Sequence, residues 1–543
     1  MGRLINFLLV LIVITSLTLF SGCVGNSKEV SEKVSGNVSE KVSEKVVTIA
    51  VGAEPTTLKT TGGYYDMPKV YSSLIRSDEN QKPIPDLAES WAIDNEKKTI
   101  TFIIRNDVKW HDGSPFSAED VKYTFDTVRD ERNIAVFTSA TTDLRILDRI
   151  DIVDRNTVVF VFDDMPASAL TYFAMPILPK HILQNEDLNT TGYWLHPIGT
   201  GPYLLDRWVP RQELVYKANE DYYGKIPDID VLKFIFIPEE STRMTMLSSG
   251  EIQATKISPK LERVLSVSGY NLYLQPSSCW YGLSVPNQKW PFDIPEVRQA
   301  IAYAANKQSM IDALFNGKGE VAYGPYNSRD SFYNPEIAFS YDPDHAKDLL
   351  KEAGFVLKDD NWIYQEDGRI LEFDLYYVAS NPERKDIAIA LATDLNALHI
   401  KVNLVSMTSW AEFDAEVARK TANILSWGSP NDPDIPNYKL FSSKFINDGW
   451  WNTFAYSNPR VDTLLESGRY ERDPDARKTY YYEAQKIIAQ EQPVIFLVYL
   501  DSVYLIDERI EGIKPKNSPH GSGTIGGTIS EIWWNAQDWT YQV

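Results

Sequence analysis

Cysteine is nearly missing from this chain: Cys23 and Cys279 are the only two in 543 residues, too few for a disulfide framework. Histidine is scarce too. His111, His181, His196, His345, His399 and His520 form no i, i+4 pair and no His-x-His ribbon, so the pattern offers no converging imidazoles for a bare nickel ion. Basic charge is outweighed, with 54 Lys and Arg against 75 Asp and Glu and a net charge of −21. A surface of that sign repels phosphate backbones, which excludes nucleic acid as a partner. Past residue 20 no run of about 18 apolar residues occurs, so nothing downstream reads as a membrane span. The G-x-S-x-G elbow, the H-E-x-x-H helix and the G-x-x-x-x-G-K-[ST] loop are missing as well, and serine-hydrolase, zincin and nucleotide-hydrolysing readings lose their motifs. A secreted glycosidase with a carboxylate pair stays as the competing class.

What is present is ample material for a core: 43% hydrophobic residues, enough in a chain of this length for two or more domains. The 14 Trp, 30 Tyr and 22 Phe suit a large protein that stacks a ligand in a cleft. Met1-Gly-Arg3, the apolar stretch Leu4–Phe20 and Ser21-Gly22-Cys23 have the order of a secretory signal. Leu19-Phe20-Ser21-Gly22-Cys23 resembles a lipoprotein processing site, with Phe20 where Leu is usual. The expectation is cleavage after residue 22 and lipid on Cys23, which leaves Cys279 alone. From residue 23 to 46 a Val-Ser-Glu-Lys repeat is too poor in apolar residues to bury a core and reads as a solvated tether.

Beyond the tether, strand-like and helix-like segments alternate without a long repeat, which predicts an α/β protein with mixed sheets. Lys98–Arg105, Thr157–Phe162, Val231–Ile237, Ile370–Val378, Lys401–Ser406 and Val494–Ile506 carry the β-branched and aromatic residues of strands. Ser117 followed by Asp120 marks a capping box, and Asp342-Pro343, Asp473-Pro474 and Pro295 mark helix starts.

Leu87-Ala-Glu-Ser-Trp91 and Val108-Lys-Trp-His-Asp-Gly-Ser-Pro-Phe-Ser-Ala-Glu-Asp-Val121 resemble the signature of the peptide- and nickel-binding family of ABC-importer solute receptors, solute-binding protein family 5. The similarity continues through Gly199–Tyr203, Asn219–Gly224, Ile237–Arg243, Val297–Ile301, Tyr341–Asp344, Trp427–Pro433 and Tyr456–Pro459, and so spans the whole globular part. It implies an α/β, two-lobed, type II periplasmic-binding-protein fold with an extra inserted domain. Lobe one would be 47–66, 196–278 and 501–543, the inserted domain 67–195, and lobe two 279–500. Hinges would lie near Ser278-Cys279 and Tyr499-Leu500-Asp501. It further implies a monomeric receptor outside the cytoplasmic membrane, held by its lipid anchor, without cofactor or catalysis. Such a receptor delivers a short peptide or a nickel chelate to a permease and its ATPase subunits. An oligosaccharide receptor on the same fold is the alternative.

Within that resemblance Trp427 stacks on ligand or packs between strand and helix, and Asn431, Asp432 and Asp434 contact ligand or close turns beside Pro. Peptide-binding members place an Asp shortly after this Trp to grip the peptide amine, whereas Ser429 and Pro430 stand here. Nickel-type members use arginines where Ile134 and Ile177 align. Tyr64 and Tyr65, Trp280 and Tyr281, Trp410 or Phe413, and Thr528 or Ser530 complete the expected ligand residues. No metal ligand is assigned, and His111 reads as structural. Truncating Trp427 is expected to weaken binding and leave unfolding nearly unchanged.

Overall fold

The chain starts its first strand at Val46–Val51, where Val47, Ile49, Ala50 and Val51 are buried. A strand buried on both faces belongs in the middle of a sheet. It pairs in parallel with Val231–Phe236 on one side and Ala254–Ile257 on the other. Antiparallel strands extend this seven-stranded sheet, Glu213–Ala218 and Tyr203–Val209 at one end, Ser502–Asp507 and Tyr270–Gln275 at the other. This is a computed structural model, and it describes residues 44–55, 58–59, 69–137, 139–260, 268–428, 432–518 and 531–543. Val46, assigned to the tether from sequence, already pairs with Val231, and Lys45 is bonded to Asp228 and Asp230.

A second, six-stranded sheet runs in the order Gly319–Val321, Val494–Leu500, Cys279–Ser284, Asn423–Gly428, Glu372–Val378, Lys401–Met407. A third, antiparallel and four-stranded, is built from Ala88–Asp94, Thr99–Ile104, Thr157–Phe162 and Leu147–Asp154. In Thr157–Phe162 alternate residues Val158, Phe160 and Phe162 are buried, as a sheet with one face on a core requires. Phe160 meets Phe125 of the helix Ala118–Val128, whose N-terminus is held by the Ser117–Asp120 capping box read from sequence. Asp342 and Asp473 likewise cap the helices Pro343–Glu352 and Pro474–Glu491, and Pro295 opens Pro295–Ala304.

The hydrophobic clusters divide cleanly. One continuous core joins the four-stranded sheet to one face of the seven-stranded sheet, from Val47 through Phe160 to Tyr541, and a smaller cluster around Leu247 and Val503 fills the other face. The six-stranded sheet has clusters of its own, drawn wholly from residues 280–500.

Val494–Ile506, one strand in the sequence reading, is two. Val494–Leu500 lies in the six-stranded sheet and Ser502–Asp507 in the seven-stranded one, with Asp501 alone between them. Both halves are buried apart from the half-buried Leu500, Asp501 and Ser502 at the crossing, too short an interruption to separate two strands by pattern alone.

Lys307 opens the helix Lys307–Leu314 from a buried position, its Nζ 3.3 Å from the Ala322 carbonyl and facing the rings of Phe339 and Tyr323 at 4.5 and 5.5 Å. Burial pulls its ammonium down to about 7. Above that pH the folded protein releases a proton that the unfolded chain keeps until about 10.4, so native stability rises across this window. Lys307→Met is therefore expected to stabilise the protein at pH 6 by about 1–3 kcal/mol, with an advantage that shrinks between pH 7 and 10. Urea titrations across pH check this, and a constant difference would contradict it.

Candidate functional site: the cleft between the two large sheets

Two short crossings join the sheets, residues 276–278 between Gln275 and Cys279 and Asp501 between Leu500 and Ser502. A C-terminal segment lies alongside. Ser518 N–H donates to Pro276 O and Ser278 N–H to Ser518 O, both at 2.8 Å, while Asn327 Nδ2 donates to Ser277 O and Asn517 Oδ1. At this junction Gly428 pairs with Cys279, and a Cβ there would stand 2.9 Å from Cys279 Cα and Ser278 O, so only glycine fits. Asp501 is largely buried, which pushes its carboxyl above the usual range, with Arg329 3.6 Å away acting the other way.

Between the sheets opens a cavity of about 680 Å³. The parallel strands Val46–Val51 and Ala254–Ile257 reach it with their carboxyl ends, where clefts form in α/β sheets. On the seven-stranded side Arg243 is buried behind Gly52, donating to Ile237 O at 2.7 Å, Pro238 O at 3.0 Å and Thr255 Oγ1 at 3.2 Å. Next to it Lys256 Nζ is 3.4 Å from Glu531 Oε1, and Glu531 also accepts from the Tyr504 hydroxyl. Burial and that carboxylate hold the Tyr504 phenol well above its ordinary range. The Trp533 ring completes this wall.

The six-stranded side supplies Cys279, Tyr281, Phe315, Pro382 and Glu383. Burial pushes the Cys279 thiol up to about 12, with Arg384 pulling the other way, so at neutral pH the side chain rests as the neutral thiol. Lys260, which lines the cavity, spans the gap with an ion pair to Asp386 on the helix Pro382–Ala397. The wall is thus a mosaic of both charges and aromatic faces, able to hold a polar ligand at several points.

Of the residues expected at the ligand, Tyr281 lines this cavity. Trp280, one position earlier, points the other way, fully buried and edge-on to Phe496 at 5.0 Å. Trp427 is 8% exposed, in the same cluster, with Trp451 at 5.2 Å. Phe413 is buried with Val378 and Val417, and Trp410 lies 45% exposed over Arg384. The Asp432 carboxylate is held by both Nη atoms of Arg477 at 2.8 Å. Asp434, fully buried, accepts from Ser168 Oγ at 2.8 Å and pairs with Arg469 at 3.2 Å. Tyr64, Tyr65, Asn431, Thr528, Ser530 and Cys23 lie outside the described residues. His111 bonds Gly201 O at 3.0 Å and accepts from Gly199 N–H. Lys256, Lys260, Glu383 and Glu531 escaped the sequence reading. Only Arg243 stood in a quoted motif, Ile237–Arg243, and the others carry no local signal because partners such as Glu531 lie hundreds of residues away.

Residues 82–449 match the family model described as bacterial extracellular solute-binding proteins, family 5 Middle. The chain belongs to this family. Among curated relatives, Protein XP55 of Streptomyces lividans is 30% identical over 89% of this chain and 90% of its own length. The dipeptide-binding protein of Escherichia coli K12 is 28% identical over 85% and 90%. Among solved structures, NikZ from Campylobacter jejuni in complex with Ni(L-His) superposes with a TM-score of 0.78 at 28% identity, covering 91% of this chain and 99% of that one. AppA from Bacillus subtilis in complex with a nonapeptide gives 0.76 over 92% and 100%, and at 23% identity shows the shared fold alone. The architecture is therefore the type II periplasmic-binding-protein fold of family 5, whose members are binding proteins.

Proposed function

We propose that this family 5 protein is an extracytoplasmic, lipid-anchored receptor of an ABC importer that captures a short oligopeptide or a nickel chelate by lobe closure and hands it to a membrane permease. The single observation that carries this reading is the 680 Å³ cleft between two sheets that share no hydrophobic cluster and are joined by two short crossings. Residues 47–66, 196–278 and 501–543 act as lobe one, 67–195 as a domain inserted in it, and 279–500 as lobe two. Closure is a population shift driven by the contacts that ligand gains in the closed state. The likeness to NikZ bound to Ni(L-His) supports the chelate and the likeness to the E. coli dipeptide-binding protein supports the peptide. A chelate brings its own metal ligands, which suits a wall of aromatic and charged groups.

Native mass spectrometry of the protein as purified, followed by release of whatever occupies the cleft, tests this. A spread of peptide masses identifies a peptide receptor, and one mass with a nickel isotope pattern a chelate receptor. Failure to bind peptides or nickel–histidine would overturn the reading.

A further inference from the structure

The sheet that carries lobe two meets the inserted domain along a seam far in sequence from the two crossings. A set of polar contacts crosses it. Asp143, which is buried, pairs with the half-buried Lys439. Ser168 Oγ donates to Asp434, Ala167 N–H donates to the Arg469 carbonyl at 2.8 Å, Arg472 donates to the Met165 carbonyl, and Asp164 bonds the Tyr470 hydroxyl. On the far side the carboxylates are fixed within lobe two: Asp434 by Arg469, and its neighbour Asp432 by Arg477. The apolar clusters on the two sides stay separate.

Polar groups that satisfy one another across a seam, over rigidly held backing, can part and be rehydrated, whereas a shared apolar core cannot separate without exposing it. We propose that this seam is a closure clasp: Asp143, Met165, Ala167 and Ser168 of the inserted domain engage Lys439, Asp434, Arg469 and Arg472 of lobe two, and the engagement sets how much of the protein is closed before any ligand arrives. The inference rests on the lobe-closure reading above. The clasp also reaches toward the expected ligand loop, since Lys439 lies 4.7 Å from the Trp451 ring and Trp451 packs on Trp427. This path gives a ligand touching Trp427 a physical route to the seam.

The test is charge reversal and rescue on the full chain. Spin labels on cysteines replacing the exposed Lys97 and Asp344, one on each side, report the distribution of distances by double electron–electron resonance. Asp143→Lys sets two cations face to face and is expected to raise the ratio of open to closed molecules at least tenfold. Asp143→Lys combined with Lys439→Asp restores the pair and should return the distribution to that of the unmodified protein. Ser168→Ala, which deletes one bond and leaves lobe two intact, should open the protein in the same direction by a smaller factor. Unchanged proportions of two distances in all variants would overturn the clasp and leave lobe closure standing. A single common distance in every variant would overturn both.

Discussion

Arg477→Met is expected to lower the unfolding free energy by about 3–5 kcal/mol. Arg477 grips both oxygens of Asp432 at 2.8 Å and donates from Nε to Gly468 O at 2.9 Å, with its guanidinium facing the rings of Phe332 and Tyr481. Removing it strands the Asp432 carboxylate among other acids, because Asp434 and Asp330 stand close enough for burial and mutual repulsion to raise both to about 6. A buried pair contributes little beyond its own desolvation, but breaking one side leaves an uncompensated charge. Asp432→Asn added to Arg477→Met removes that charge and should recover much of the loss. Urea denaturation followed by tryptophan fluorescence measures both, and a loss below about 1 kcal/mol for the single variant would contradict the buried-charge argument.

Trp427→Ala should lower stability by about 3–5 kcal/mol. That departs from the expectation drawn from sequence, in which unfolding hardly changed. The strand Asn423–Gly428 is buried along its whole length, and the indole sits edge-on to Trp451 within the cluster that holds Leu425, Tyr438 and Phe454. Truncation would leave a cavity between strand and helix. A ligand role for the same ring is separable. Trp427→Phe keeps an aromatic in the cluster and should retain most of the stability, while a ligand stacked on the indole would bind about 1–3 kcal/mol more weakly. Thermal unfolding beside binding of the co-purified ligand distinguishes the two contributions. If Trp427→Ala unfolds like the unmodified protein, the ring is not part of the core.

Much was legible in the sequence wherever a few neighbouring residues decide the outcome. The Ser117–Asp120 box, the Asp342 and Asp473 caps and the strands at 157–162 and 231–236 appear where side-chain chemistry and period place them. The family resemblance also stood on local strings such as Val108–Val121. What one dimension could not carry is which buried strand joins which sheet, as the division of 494–506 at Asp501 shows. The same holds for the charges. Asp432 and Asp434, beside Pro433, read equally as turn formers or ligand contacts, because the arginines that hold them lie 45 and 35 residues further along, on two other helices. Ser168 and Asp434 are 266 residues apart, and Lys256 and Glu531 are 275 apart. Composition and local pattern determined an acidic α/β protein and the ends of its helices, and the family resemblance implied that it binds a solute. Tertiary structure decided which carboxylates are spent on internal arginines and which face the cleft, because a charge takes its role from the partner that folding brings within a few ångströms.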